Sequence, residues 1–452
     1  MYFSWNNVIE SSNTVMQHFK LKIKATNLSS DVLSLQRKFQ DVELEIGENY
    51  EFVEKISLKH GNKVTKLTCH LISTADYTPN KSTSLLRILK NFPLLSELHL
   101  QKFGLFEDTR TISFPHLRTL KIADSSLELL QILSIPNLES FELSSTICAK
   151  DYMKPFLQSC PKLETLIFRN DRNYLKIFDD CENLPFNLKV LEVTNDRNAH
   201  MDGLENILSK FSNLKVLIFS CGMIGAVLFP EPTNIPFRLS KIEHTVWLPY
   251  IGQINNDNYC SFLRTQKDSL KEISSVFLFP DSVEVDAEYL ILFTEMRVLE
   301  KLSFDLKNPF PKNEQFYQDL QPLPNVKELR FTNIKKTVRH GKGFQCRHGL
   351  FLEKMLPLFP NLEIFECFHS VKSLPNLMTV LAKNNPKLKS LSLSSVKNYE
   401  PENKFNLLEE FRFKFTEDIE NFQAFVNDHK TINIKLSVDL PTSNFSHVFE
   451  EN

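Results

Sequence analysis

The chain has 452 residues, 42% hydrophobic and 24% charged, which is enough apolar material for a large core and outside the composition of disordered chains. Lys and Arg (53) nearly balance Asp and Glu (55), a formal net charge of -2 that excludes a global field for nucleic acid or an anionic membrane surface. Ten glycines, against a usual share of roughly 7%, disfavour folds built on phosphate loops, while 38 phenylalanines require systematic burial.

Residues 4–23, SWNNVIESSNTVMQHFKLKI, open with Trp5, continue with Val8, Ile9, Val15 and Met16 at helical spacing, and end in a strand-like FKLKI. No basic segment followed by an apolar run starts the chain, and no stretch of about 18 apolar residues occurs, so the cytoplasm or nucleus is the expected compartment. The eight cysteines are scattered without a C-x-x-C pair, which predicts reduced, buried thiols.

From residue 39 one pattern recurs: an apolar residue, two variable positions, a second apolar residue, one variable position and a third apolar residue. Its clearest copies are PLLSELHL (93–100), PHLRTLKI (115–122), PNLESFEL (136–143), PKLETLIF (161–168), NLKVLEV (187–193), NLKVLIF (213–219), PNVKELRF (324–331), PNLEIFEC (360–367) and PKLKSLSL (386–393). Looser copies begin at Phe39, Val64, Leu239, Leu270, Leu299 and Leu408, of which those at Phe39 and Leu239 rest mainly on spacing. First positions at 39, 64, 95, 117, 138, 163, 188, 214, 239, 270, 299, 326, 362, 388 and 408 differ by 20 to 36 residues, a leucine-rich-repeat period with loop insertions.

The alternation in each copy is that of a half-buried strand. The outward residues read Glu97/His99, Thr119/Lys121, Ser140/Glu142, Thr165/Ile167, Val190/Glu192, Val216/Ile218, Lys301/Ser303, Glu328/Arg330, Ile364/Glu366, Ser390/Ser392 and Glu410/Arg412. Segments 84–92, 152–160, 203–211, 288–296, 350–359, 377–384 and 420–428 read as short amphipathic helices, several stopped by a proline (Pro93, Pro161, Pro360, Pro386) just ahead of the strand. No single unit can bury its own apolar face, so the predicted fold is an α/β leucine-rich-repeat solenoid, with a curved parallel sheet on the concave side and helices on the convex side. A terminal strand without a following helix is expected at TINIKLSV (431–438). The position eight residues after the first leucine, often Asn or Cys in such repeats, here holds Phe103, Ser125, Thr146, Asp171, Asp196 and Gly222, so the ladder is degenerate.

Combined with these repeats, the N-terminal residues resemble the tail of an F-box, whose members read Cys-basic-x-Trp-Asn-x-x-Ile/Val, a Ser-rich stretch and a basic apolar strand. Trp5, Asn6, Val8, Ile9, Ser11 and Ser12 occupy the matching positions. As a whole the chain is similar to the divergent F-box/leucine-rich-repeat proteins of expanded insect families. The resemblance implies a substrate receptor of a cullin ubiquitin ligase (SCF), in which the arch selects the protein substrate and Trp5, Val8 and Ile9 belong to the surface for a Skp-type adaptor. The leading part of an F-box has no counterpart before Met1, so a truncated F-box with a weak hold on the adaptor is expected, or a derivative that has lost it. Read on their own, residues 1–23 are an N-terminal cap, residues 24–438 the solenoid and residues 439–452 a tail. The chain would then be a stand-alone binding scaffold or inhibitor.

No P-loop, G-x-G-x-x-G, G-x-S-x-G or H-E-x-x-H occurs, so no catalytic residue and no cofactor is expected. KKTVRHGKGFQCRHG (335–349) places His340, Cys346 and His348 among basic residues at spacing unfamiliar for a metal site, and reads as a solvated insertion. The better candidate is the outward face. Ile167, Val190, Val216 and Ile218, from three consecutive copies, form an apolar patch rimmed by Thr165, Arg169, Glu192 and Lys215. The expected partner-binding residues are Ile167, Arg169, Val190, Glu192, Val216 and Ile218, on a monomer that binds a protein and neither nucleic acid nor membrane. The phenylalanines belong to the spine: Phe141, Phe168, Phe219, Phe304, Phe331, Phe365, Phe411 and Phe413 inside the strands, and Phe92, Phe114, Phe211 and Phe359 ahead of them. The glycine shortage fits repeats that need few left-handed turns.

Overall fold

The computed structural model describes residues 20–24, 39–47, 50–72, 80–104, 111–145, 150–169, 187–194, 204–221, 229–247, 256–278, 287–305, 320–332, 348–367, 377–393, 405, 407–413 and 433–436. The chain divides into two compact units, Met1–Phe237 and Arg238–Asn452. Both contain copies of the repeat.

In the first unit β1 (Lys20–Ile23), β2 (Asp41–Ile46), β3 (Lys66–Leu71), β4 (Glu97–Gln101), β6 (Thr119–Ala123), β8 (Ser140–Ser144), β9 (Thr165–Arg169), β10 (Val190–Thr194) and β11 (Val216–Cys221) pair in chain order, all parallel. Two short strands, β5 (Ile112–Ser113) and β7 (Leu133–Ser134), pair with each other in the connections. Helices α1 (Tyr50–His60), α2 (Asn80–Leu89), α3 (Lys150–Gln158) and α4 (Leu204–Leu208) carry the chain from strand to strand, and a 3-10 turn at Leu127–Gln131 replaces a helix between β6 and β8.

In the second unit β12 (Lys241–Trp247), β13 (Glu272–Leu278), β14 (Lys301–Asp305), β15 (Glu328–Thr332), β16 (Ile364–Cys367), β17 (Ser390–Leu393), β18 (Glu410–Phe413) and β19 (Asn433–Leu436) pair in the same way. The helices between them are α5 (Asn256–Thr265), α6 (Ala287–Glu295), α7 (His348–Met355) and α8 (Leu377–Asn384). Each unit is a leucine-rich-repeat solenoid of α/β type, including the weakly patterned copies at Phe39 and Leu239. The expected helix at 420–428 lies outside the described residues.

One repeat is closed by three devices. The first apolar position is fully enclosed, as at Val64, Leu117, Leu163, Leu214, Leu270 and Leu362. Its N–H donates to the carbonyl three residues back, from Leu95 to Phe92, Leu117 to Phe114, Leu163 to Cys160 and Leu388 to Asn385, which folds the segment after each proline into a tight turn. One carbonyl at the strand entry then accepts two N–H groups from the next repeat: Ser96 takes Arg118 and Thr119, and Arg118 takes Glu139 and Ser140. This ladder satisfies the backbone where the chain enters the sheet.

The aromatic spine is present as expected. Phe92, Phe114, Phe141, Phe168, Phe211, Phe219, Phe331, Phe359, Phe365 and Phe411 are buried, and Phe331 and Phe365 of neighbouring strands meet edge to face with centroids 5.7 Å apart. The side chains of Phe304 and Phe413 lie outside the described residues. Cys69, Cys160, Cys260 and Cys367 are buried thiols outside any disulfide, and burial pushes the Cys160 thiol up to about 11.

Among the described residues, left-handed turns are made without glycine. Three successive strands of the first unit, β4, β6 and β8, exit through Lys102 (φ 66°), Asp124 (φ 50°) and Ser145 (φ 51°), none of them glycine. Each donates its N–H to a carbonyl of the next strand, Ala123, Ser144 and Arg169 respectively, so the sheet ladder holds the unfavourable conformation. Nearby, Ser125 does the work of the ladder asparagine: its Oγ accepts from the Phe103 N–H (3.0 Å) and donates to the Ala123 carbonyl (2.7 Å).

Candidate recognition face

Alternation along the strands sends one set of side chains into the core and leaves the other half-exposed, and the outward set is the one read from the sequence. Parallel pairing without offset lines these residues up in rows. In the first unit one row runs Asp41, Lys66, Glu97, Thr119, Ser140, Thr165, Val190, Val216. The next runs Lys22, Glu43, Thr68, His99, Lys121, Glu142, Ile167, Glu192, Ile218. A third carries His70, Gln101, Ala123, Ser144, Arg169, Thr194 and Ser220.

This register brings Val190 and Val216 side by side, with Ile167 and Ile218 one row over. It also places Glu192 between Ile167 and Ile218, so the aliphatic surface turns around a carboxylate. Arg169 governs that carboxylate. Its Nε donates to Glu192 (2.8 Å) and its Nη1 to Glu142 (2.9 Å), the two glutamates that flank Ile167 in their row. Lys121 reaches Glu142 from the other side at 3.1 Å. The chain Lys121–Glu142–Arg169–Glu192 therefore crosses strands β6 to β10 and borders the aliphatic residues. Lys215 is exposed beside them.

Toward β1 the face is wholly polar. Lys20 (2.7 Å) and Lys22 donate to Glu43, and these bonds pull its carboxyl down to about 2. His70 lies 3.9 Å from Glu43 through Nε2, bonds Gln101 through Nδ1 (2.6 Å), and meets His99 edge-on with ring centroids 5.9 Å apart. Burial, with His70 and Lys121 nearby, holds the His99 imidazole below its ordinary value.

The second unit repeats the scheme with different residues. Lys241 meets Glu272 at 2.6 Å; Glu328 receives both Lys301 (3.4 Å) and Arg330; and Arg330 also reaches Glu366 at 3.2 Å. An inward polar group that the apolar pattern does not flag is here. His244 occupies the third motif position of β12, is 2% exposed, and bonds the Tyr259 hydroxyl of α5 through Nδ1 at 2.8 Å. Burial pushes its imidazole down to about 3. The sequence carried a signal, since position 244 falls where the other copies place Leu, Ile, Phe, Val, Cys or Ser.

Trp5, Val8, Ile9 and most of the 335–349 insertion lie outside the described residues. Among the described residues, no group of three or more His, Cys, Asp or Glu side chains is placed to hold a metal ion, and no helix is long and apolar enough to cross a membrane. Arg169 stands at the third outward position of its copy, and its role as a bridge follows only from the register that brings Glu142 and Glu192 within its reach.

No protein-family model matches the sequence, and no curated protein matches it. Among solved structures, the chain is similar to the crystal structure of a protein from Bacteroides fragilis at 10% identity, covering 91% of this chain and 77% of that one with a TM-score of 0.22. At that level of likeness nothing is carried from one protein to the other.

Proposed function

We propose that the chain is a non-catalytic protein-recognition solenoid of the F-box/leucine-rich-repeat type, acting in the cytoplasm or nucleus as a substrate receptor of a cullin ubiquitin ligase, or as a derivative that has lost its adaptor. The observation that supports recognition is the outward face of the first unit, where Val190 and Val216 adjoin in register and Ile167 and Ile218 flank them beside a paired Arg169. Around them Lys121, Glu142, Arg169 and Glu192 are matched to one another, which leaves the aliphatic residues as the least satisfied part of that stretch. The ligase half rests on Trp5, Asn6, Val8, Ile9, Ser11 and Ser12 and their resemblance to an F-box tail.

Two measurements test the halves separately. A photo-crosslinking residue at Val190 should capture protein in cells, whereas one at Leu58, exposed on α1, should not. Equal capture at both positions removes the face from the reading. Purified Skp-type adaptor should co-elute with the chain; if it does not, the ligase role falls and a stand-alone binding scaffold remains.

A further inference from the structure

On the outward face of the first unit the two signs of charge stand at different depths. The side chains of Glu43, Glu142 and Glu192 are 12%, 12% and 14% exposed, whereas their partners Lys22, Lys121 and Arg169 are 48%, 39% and 44% exposed. The turn edge of the same unit shows no such layering, since both Arg118 and Glu139, at 66% and 44%, stand in solvent. The cause is length. A glutamate lies down on the pleat between its row neighbours, while the longer Lys and Arg stems cross over it and keep their heads in water. In the second unit, taken by itself, Lys301 and Arg330 stand over Glu328 in the same manner.

A surface of balanced formal charge is therefore cationic in its outermost layer. Beside Arg169 that layer adjoins the half-buried Ile167, Val190, Val216 and Ile218. Building on the recognition reading above, we propose that this face takes an acidic, aliphatic protein segment, with carboxylates meeting Lys121 and Arg169 and a Leu, Ile or Val side chain seated against Val190 and Val216. Nucleic acid fits it less well, because a phosphate backbone would leave the aliphatic residues without a partner.

The test is selection of random phage-displayed peptides on the full chain, followed by binding of the selected peptides to variants. Enriched peptides should carry Asp or Glu next to Leu, Ile or Val. Their affinity should fall about two- to fivefold with Lys121→Gln and again with Arg169→Gln, fall with added salt, and stay unchanged with Arg118→Gln at the edge. Should Arg169→Gln lower the melting temperature, Lys121→Gln carries the test alone. Neutral or basic peptides that still lose binding in Val216→Asp would overturn the charge assignment while the recognition reading stands. No enrichment over a blank surface, or binding indifferent to every face variant, overturns both. A single-stranded oligonucleotide that binds more tightly than the selected peptides overturns the choice of protein over nucleic acid.

Discussion

Strand β8 turns Phe141 and Leu143 inward, where neither is accessible, and Ser140, Glu142 and Ser144 outward, where Glu142 meets Lys121 and Arg169. The same strand thus faces two media, and its residues are held by different forces. Below, stability comes from apolar area and close packing, and a lost ring leaves a cavity. Above, it comes from paired charges in water, each of small worth. Phe141→Ala should accordingly cost about 3–5 kcal/mol, whereas Ser140→Ala should stay within about 0.5 kcal/mol. Denaturant melts of the two variants measure the contrast, and comparable losses would erase it.

His244 is where the two media are confused, since a polar ring stands on the apolar side of β12. Its folded pKa of about 3 lies below the ordinary 6.5, so between these values the unfolded chain binds the extra proton. Stability is unaffected by this group above pH 6.5 and falls as the pH drops through the window toward 3. By pH 5 the loss should reach about 2 kcal/mol. His244→Leu should flatten this slope, and Tyr259→Phe should weaken the second unit at neutral pH while leaving the slope in place. A variant lacking His244 with an unchanged acid slope would show that carboxylates elsewhere set the pH dependence.

The outward face answers differently. Val216→Asp with Ile218→Asp should change the melt by no more than about 1 kcal/mol, because both side chains are half-exposed and neither fills the core. Partner capture at Val190 should be lost. A collapse of the melt would mean that these residues are core and that the strand register is off by one.

The inner side of the sheet was the more legible from sequence, and the reason is physical. Burial constrains each copy separately, so Leu163, Leu166 and Phe168 announce a strand without reference to any other repeat. The outer side depends on what neighbouring copies bring to the same row. Glu142, Arg169 and Glu192 belong to three copies, and only the register makes them one chain. Two helices also escaped the pattern. Tyr50–His60 buries Ser57 and His60 along with Val53 and Ile56, which blurs its apolar stripe. Asn256–Thr265 buries Tyr259, Cys260, Phe262 and Leu263, with Tyr259 turned to His244.

The smallest expected effect lies at the border between the two faces, where the strands end. Lys102, Asp124 and Ser145 take up left-handed backbone that costs an L-residue roughly 1–2 kcal/mol, less for Asp, and none has the freedom of glycine. Glycine would remove that cost but lose more entropy on folding, by roughly 0.5–1 kcal/mol. The difference predicts that Lys102→Gly and Ser145→Gly each stabilise the first unit by about 0.5 kcal/mol, with Asp124→Gly closer to neutral. Because the N–H of each residue still reaches the next strand, the ladder is intact in all three variants. Melts of the single variants and of the Lys102/Ser145 pair decide the matter: two small gains that add would place the strain in the backbone itself, and a loss in either would show that its side chain holds the strand exit in place.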